Sequence, residues 1–163
     1  MGAFEGQVAV VTGASAGVGR AVALALAHEE AAVGLVARGE AKLGAVEAEI
    51  RAAGGRALAL TADVADEAAI GAAVDRVASE FGGLDIVIAN AGAGGRGAAE
   101  TLSLAAWQAV LATKSGLTVP DRARRCHTSS ARGRGQIIAV SSGAGKHGYA
   151  DGVPLRLKFG CTA

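Results

Sequence analysis

The sequence predicts an α/β fold, a doubly wound parallel sheet. Three observations lead there. Short apolar runs without polar alternation recur along the chain, as in strands covered on both faces. Segments with apolar residues at helical spacing separate them. Glycines and small polar residues gather just after the runs, where a parallel sheet presents its carboxyl edge. The 163 residues are 51% hydrophobic and include 25 glycines but only 3% aromatics. That length and composition allow one domain with a substantial, tightly packed core and exclude a disordered chain.

The elements follow in order. Val8 to Val11 is the first strand, ended by Thr12 and Gly13. Gly17 and Gly19 open an alanine-rich helix, Arg20 to Glu29. Ala32 to Ala37 is the second buried strand. Glu40 to Ala53 carries Leu43, Val46 and Ile50 as a helical stripe, stopped by Gly54 and Gly55. Ala57 to Thr61 is the third strand. Asp66 is a good cap for a helix bearing Ile70, Val74, Val77 and Phe81, which Gly82 and Gly83 end. Leu84 to Ala89 is the fourth strand, and Ser103 caps a helix beginning at Leu104 and running through Trp107, Val110 and Leu111. Gln136 to Val140 is the fifth strand, leading into Ser141 and Ser142. Right-handed crossovers then bring the carboxyl ends of all five strands to one edge, near the point where strand order reverses.

The stretch VAVVTGASAGVGR, Val8 to Arg20, organises that edge. A strand, a glycine turn and a helix start aim free N–H groups and the positive end of a helix dipole at one point, which suits a pyrophosphate. Glycine avoids a Cβ that would block close approach of the backbone to phosphate. The glycines run Gly13, Gly17, Gly19, a TGxxxGxG spacing rather than the GxGxxG of the general dinucleotide fold.

In TGASAGVGR the chain resembles the short-chain dehydrogenase/reductase family. Asp63-Val64 after the third strand and Asn90-Ala91-Gly92 after the fourth match two further motifs of that family. The resemblance runs without a break to about residue 112. It implies a Rossmann-type sheet, with about five of the family's seven strands present, and one NAD(P)-binding domain over residues 1–163 whose C-terminal part is incomplete. It implies hydride transfer between a nicotinamide cofactor and a small alcohol or carbonyl substrate. The implied cofactor-binding residues are Gly13, Ser15, Ala16, Gly17, Val18, Gly19, Arg38, Asp63, Val64, Asn90, Ala91 and Gly92. In the family the Asp and the following backbone amide touch the adenine ring, the Asn helps hold the sheet together, and the glycine lets the backbone pass close to the cofactor.

Ala37 stands where NAD-preferring members carry Asp, and Arg38 where NADP-preferring members often carry a basic group. A guanidinium pairs with a phosphate through two parallel bonds, so the resemblance favours NADP(H) over NAD(H). The bland alternative is a solvated surface arginine, and the family's other frequent basic site is Ala16 here.

The catalytic half departs from the pattern. Ser142 matches the family serine that bonds the substrate carbonyl or hydroxyl. The family tyrosine of the YxxxK motif belongs 13 residues later, where Leu155 stands. In the family that tyrosine donates or accepts the proton, and the lysine four residues beyond bonds the nicotinamide ribose and lowers the tyrosine pKa. Lys158 follows Leu155 by three residues rather than four, a displacement of about 100° around a helix. Tyr149, the one tyrosine, has Val153 four residues on and reads as a loop residue. Leucine transfers no proton, so the usual acid/base route is absent and impaired activity is expected. The alternative is a non-catalytic dinucleotide-binding remnant or sensor.

Upstream, Lys114 stands where the family usually places an Asn, and residues 117–134 lack an apolar stripe and contain Pro120. A proline inside a helix costs about 3 kcal/mol. The interval to the fifth strand is kept while the pattern is lost, as a pair of compensating reading-frame slips would leave it. An uninterrupted frame with the same residues in close relatives would refute that. The family usually runs to roughly 250 residues, so this chain is read as stopping within the helix that carries YxxxK, with the fifth strand's outer edge uncovered.

Other classes fit poorly. A net charge of +1 gives no strong pull toward nucleic acid or membrane. The arginines of residues 122–134 form a basic run without interleaved aromatics, which leaves an interaction protein as the third and weakest reading. Cys126 and His127 have no further ligands at metal spacing, so no metal is expected. Cys126 and Cys161 read as free thiols, and no signal or membrane-spanning segment is visible, so a cytoplasmic protein is expected. The resemblance implies a homo-oligomer, but the helix that usually forms the family's dimer core is the altered one here, so the sequence does not fix the oligomeric state.

Overall fold

The computed structural model describes residues 2–92, 103–105, 108 and 135–140. Among them, strands β1 (Val8–Thr12), β2 (Ala32–Ala37), β3 (Arg56–Thr61), β4 (Ile86–Ala89) and β5 (Gln136–Ala139) form one five-stranded sheet. Helices α1 (Gly17–His28), α2 (Glu40–Ala52) and α3 (Glu67–Phe81) connect the first four strands. The order is β3-β2-β1-β4-β5 and every pairing is parallel. This is the doubly wound, Rossmann-type sheet that the apolar runs predict. Strand order reverses between β1 and β4, so a crevice opens beyond their carboxyl ends.

Alternation along β1 explains why it carries no polar residue before Thr12. Ala9 and Val11 join one core cluster with Leu26, Leu35, Leu43, Val46 and Ile50, on the side of α1 and α2. Val8 and Val10 join the other with Ile70, Val74 and Val77 of α3. A strand buried on both faces has no solvent face to record as a polar period. Gly34, in the middle of β2, lets α3 approach closely, since a Cβ there would collide with the Val77 side chain.

Element ends differ from the sequence expectation in instructive ways. Helix α1 begins at Gly17 rather than Arg20, because Ala16 is extended and its carbonyl accepts from the Arg20 N–H at 3.3 Å, closing the first turn. It ends at His28, one residue early, before Glu30 takes φ +70°. Thr12 is the last residue of β1 rather than its terminator, and Arg56 rather than Ala57 begins β3. Ala53 caps α2 from outside the helix. Strand β4 begins at Ile86, not Leu84; the buried Asp85 before it bonds to β1 by side chain and backbone, its Oδ2 accepting from the Val8 N–H at 2.9 Å. Val140 lies just past β5 and still donates to the Ala89 carbonyl at 3.0 Å. Asp66 caps α3 as expected, its side chain accepting from the Ala69 N–H at 3.0 Å, and Gly82 ends it in the left-handed conformation. Of the helix expected after Ser103, Leu104, Ala105 and Gln108 are helical, and the rest lies outside the described residues.

Candidate functional site

The carboxyl edge is tied together by Thr12, the fully buried polar residue at the end of β1. Its Oγ1 donates to the Ile88 carbonyl at 3.3 Å and accepts from the N–H groups of Asn90 and Ala91 at 3.1 and 3.0 Å. Asn90 answers with its side chain, Nδ2 donating to the Thr12 carbonyl at 3.0 Å. On the other side, the N–H groups of Gly13 and Ala14 reach the Val36 carbonyl at 2.8 and 3.3 Å. The turn after β1 is therefore held between β2 and β4 before any ligand enters.

The three glycines of TGxxxGxG differ in what makes them glycine. Gly13 has φ +67°, and a Cβ there would press on Asn90 Nδ2 at 2.9 Å and Ala91 Cα at 3.0 Å. Gly19 is buried, and its Cβ would strike the Gly13 carbonyl and Asn90 Nδ2. Its small size seats α1 against the turn and against Asn90. Gly17 has φ +56° with open space around it. The expectation that all three serve close approach of backbone to phosphate thus narrows, because two of them first serve protein packing.

A cleft of about 700 Å³ lies over this edge. Of the sequence-predicted residues, Gly13, Ser15, Ala16, Arg38, Asp63, Val64, Asn90, Ala91 and Gly92 line it together. Gly17, Val18 and Gly19 are not among its lining residues, and Val18 is exposed. The α1 N-terminus has no side-chain cap, which leaves its first N–H groups free for an anion. Arg38 Nη1 lies 3.8 Å from Asp63 Oδ2 across one end of the cleft. The second oxygen, Asp63 Oδ1, accepts from the Ala65 N–H at 2.9 Å. Asp63 thus shapes the turn into α3 and also faces Arg38. Ser142, Leu155 and Lys158 lie outside the described residues, as do Lys114, Cys126 and His127.

Sequence reasoning missed two parts of this site. Thr12 was legible only as the end of a strand, although a lone polar residue closing an apolar run invites the question of its partner. The start of α2 was overlooked: Gly39, Glu40, Ala41 and Lys42 line the cleft beside Arg38. Arg38 precedes the helix, so its nearness to Lys42 follows from how α2 leaves β2 and carries no periodic signal.

Fold and site together define a parallel α/β nucleotide-fold protein with its crevice at the strand-order switch. The sequence matches the short chain dehydrogenase family over residues 7–154. It is 42% identical over 153 residues to cis-4-hydroxycyclohexanecarboxylate dehydrogenase of Sinomonas cyclohexanicum, across 91% of this chain and 60% of that one. A short chain dehydrogenase from Burkholderia cenocepacia J2315, solved in complex with NADP, superposes with TM-score 0.79 at 35% identity, covering 94% of this chain and 62% of that one. A short-chain type dehydrogenase/reductase from Mycobacterium marinum superposes with TM-score 0.82 at 31% identity, covering 91% and 61%. The chain belongs to the short chain dehydrogenase family, a family of oxidoreductases. It spans about three fifths of the length of these relatives. Among the described residues no helix is long and apolar enough to cross a membrane.

Proposed function

We propose that this chain binds NADP(H) in preference to NAD(H) in the cleft beyond β1 and β4, as the cofactor-holding part of an oxidoreductase acting on a small alcohol or carbonyl. The observation that carries this is the convergence of Gly13, Ser15, Ala16, Arg38, Asp63 and Asn90 on one cleft at an uncapped helix N-terminus. The site fits such a group: Gly13, Ser15 and Ala16 line the cleft beside the uncapped start of α1, whose dipole favours a diphosphate there. When bound, the nicotinamide supplies the hydride donor or acceptor.

The chain's own residues do the positioning. Thr12 and Asn90 hold the edges of β1 and β4 at fixed separation, so that the turn and residues 90–92 present a rigid wall. Asp63 and Val64 form the adenine side. Arg38 supplies charge for a 2′-phosphate, and the NADP complex of the Burkholderia cenocepacia relative supports that choice. Ser142 would orient a substrate oxygen.

A second reading rests on Leu155, which stands where the family's proton-transferring tyrosine belongs. On that reading the chain binds the dinucleotide and turns over nothing. Adding the purified chain to NADPH and following nicotinamide fluorescence tests binding; a panel of ketones then tests turnover. Binding without turnover is expected. Turnover would refute the role given to Leu155, and absence of binding, with salt-sensitive retention on DNA, would turn attention to the basic run of residues 122–134.

A further inference from the structure

A cavity of about 630 Å³ opens at the amino end of the sheet, where α1 and α2 both finish. That volume lies within the range of small-molecule sites. Its floor is apolar. Leu24 and Ala27 of α1, Ala31 before β2 and Ile50 of α2 form it, and all but Leu24 are buried. Gly54 and Gly55 make one side, so backbone rather than side chains walls the cavity there. A Cβ on Gly55 would press on Ile50 at 2.8 Å, whereas the space around Gly54 is open. None of these residues lines the dinucleotide cleft.

The charge presented to this floor is mainly negative. Helices α1 and α2 both bring the carbonyl ends of their dipoles to it, which favours a cation. Glu30 and Glu49 add two carboxylates. Glu49 already meets Arg20. Glu30 accepts from the Gly2 N–H, a neutral donor, and no cation pairs with it among the described residues. The nearby cations are engaged elsewhere. Arg51, in the last turn of α2, reaches Glu47 and the Ala57 carbonyl. Arg56 lines the cavity, but its guanidinium lies 5.0 Å from the centre of the Phe81 ring, and Phe81 packs with the core cluster on the other face of the sheet. His28, also at the rim, stands 3.8 Å from the Glu29 carboxylate.

We propose that this cavity binds a small primary amine with an apolar body, an alkylammonium or arylalkylammonium ion, at a site separate from the dinucleotide. The body lies on Leu24, Ala27, Ala31 and Ile50, and the ammonium faces Glu30 and the carbonyl end of α2. An anion of the same shape meets two helix carbonyl ends and two carboxylates, and is rejected. A neutral analogue keeps the apolar contact and loses the attraction of charge.

The test follows the backbone amide shifts of the full chain by NMR as phenylethylamine, phenylethanol or phenylpropionate is added, with and without NADP+. The amine is expected to shift the amides of Ala31, Gly54 and Gly55, and to do so equally in both conditions. It is expected to bind about fivefold more tightly than the alcohol, as suits a solvent-exposed ion pair, while the carboxylate does not bind. Glu30→Gln keeps an acceptor for the Gly2 N–H and removes the charge, so it should lower the affinity for the amine about threefold and leave that for the alcohol unchanged. Ala53→Leu places a larger side chain at the cavity wall from an exposed position, so it should weaken amine and alcohol alike with Tm unchanged. Equal binding of amine and alcohol, a preference for the carboxylate, shifts confined to the turn after β1 or lost on adding NADP+, or no shifts at all would each overturn the proposal. So would a Glu30→Gln chain that keeps the full preference for the amine, or an Ala53→Leu chain that binds both probes as before.

Discussion

Replacing Thr12 by Val tests how the site is held. Both side chains are β-branched and nearly equal in volume, so the change removes one hydroxyl and little else. Three hydrogen bonds go with it: the donation to Ile88 and the acceptances from Asn90 and Ala91. Their loss is unequal. The Asn90 N–H still reaches the Ile88 carbonyl at 3.0 Å. The Ala91 N–H loses its Thr12 acceptor, at the wall of a cleft where water enters. The two bonds with no replacement inside the protein, to Ile88 and from Ala91, are each worth about 0.5–1.5 kcal/mol, so a destabilisation of about 2 kcal/mol is expected. For a chain of this size that lowers Tm by about 4–8 °C. Urea and thermal unfolding of the full chain measure it, with NADPH affinity followed alongside, since residues 90–92 lose their tie to β1. Thr12→Ser keeps the hydroxyl and gives up only a methyl group, so it should retain the affinity. A Thr12→Ser as damaging as Thr12→Val, or a Thr12→Val within about 0.5 kcal/mol of the parent, would refute the reasoning: the first would assign the role to packing, the second would leave the hydrogen bonds without effect.

Gly19→Ala should destabilise the chain and weaken NADPH binding, although Ala in place of Gly in a helix interior ordinarily gains about 1 kcal/mol; the added Cβ meets the Gly13 carbonyl and the Asn90 amide. A stabilised variant in thermal unfolding would contradict this. Gly34→Ala should cost about 1–3 kcal/mol by overpacking against Val77. Most of that cost should vanish in a Val77→Ala background, giving a coupling of about 1 kcal/mol or more in urea unfolding, whereas simple additivity would show that the two do not meet.

Much of this arrangement was legible in the sequence because strand periodicity and cap chemistry are local. Val8 to Val11 read as a doubly buried strand, and the structure splits them between two core clusters. Asp66 and Gly82 carry the two ends of α3 in their own side chain and backbone. The start of α1 was set at Arg20 because Gly17 and Gly19 read as the turn that opens the helix, whereas the extended Ala16 begins it directly at Gly17. The reasons behind Gly19 and Gly34 were not legible, because each depends on an atom distant in sequence: Asn90 for one and Val77 for the other. Lys42 was passed over for a similar reason, since its place in the cleft follows from how α2 packs after β2.

A dinucleotide bound beyond the carboxyl ends of β1 and β4 would shield the backbone of the turn it rests on. Hydrogen–deuterium exchange of the full chain, with and without saturating NADP+, tests it where it would occur. Slowed exchange over residues 13–20 and 90–92 is expected. A second cavity of about 630 Å³ lies at the opposite end of the sheet, lined in part by His28, Ala31, Gly55 and Arg56. Protection confined to that end, or none at saturation, would contradict binding at the carboxyl edge.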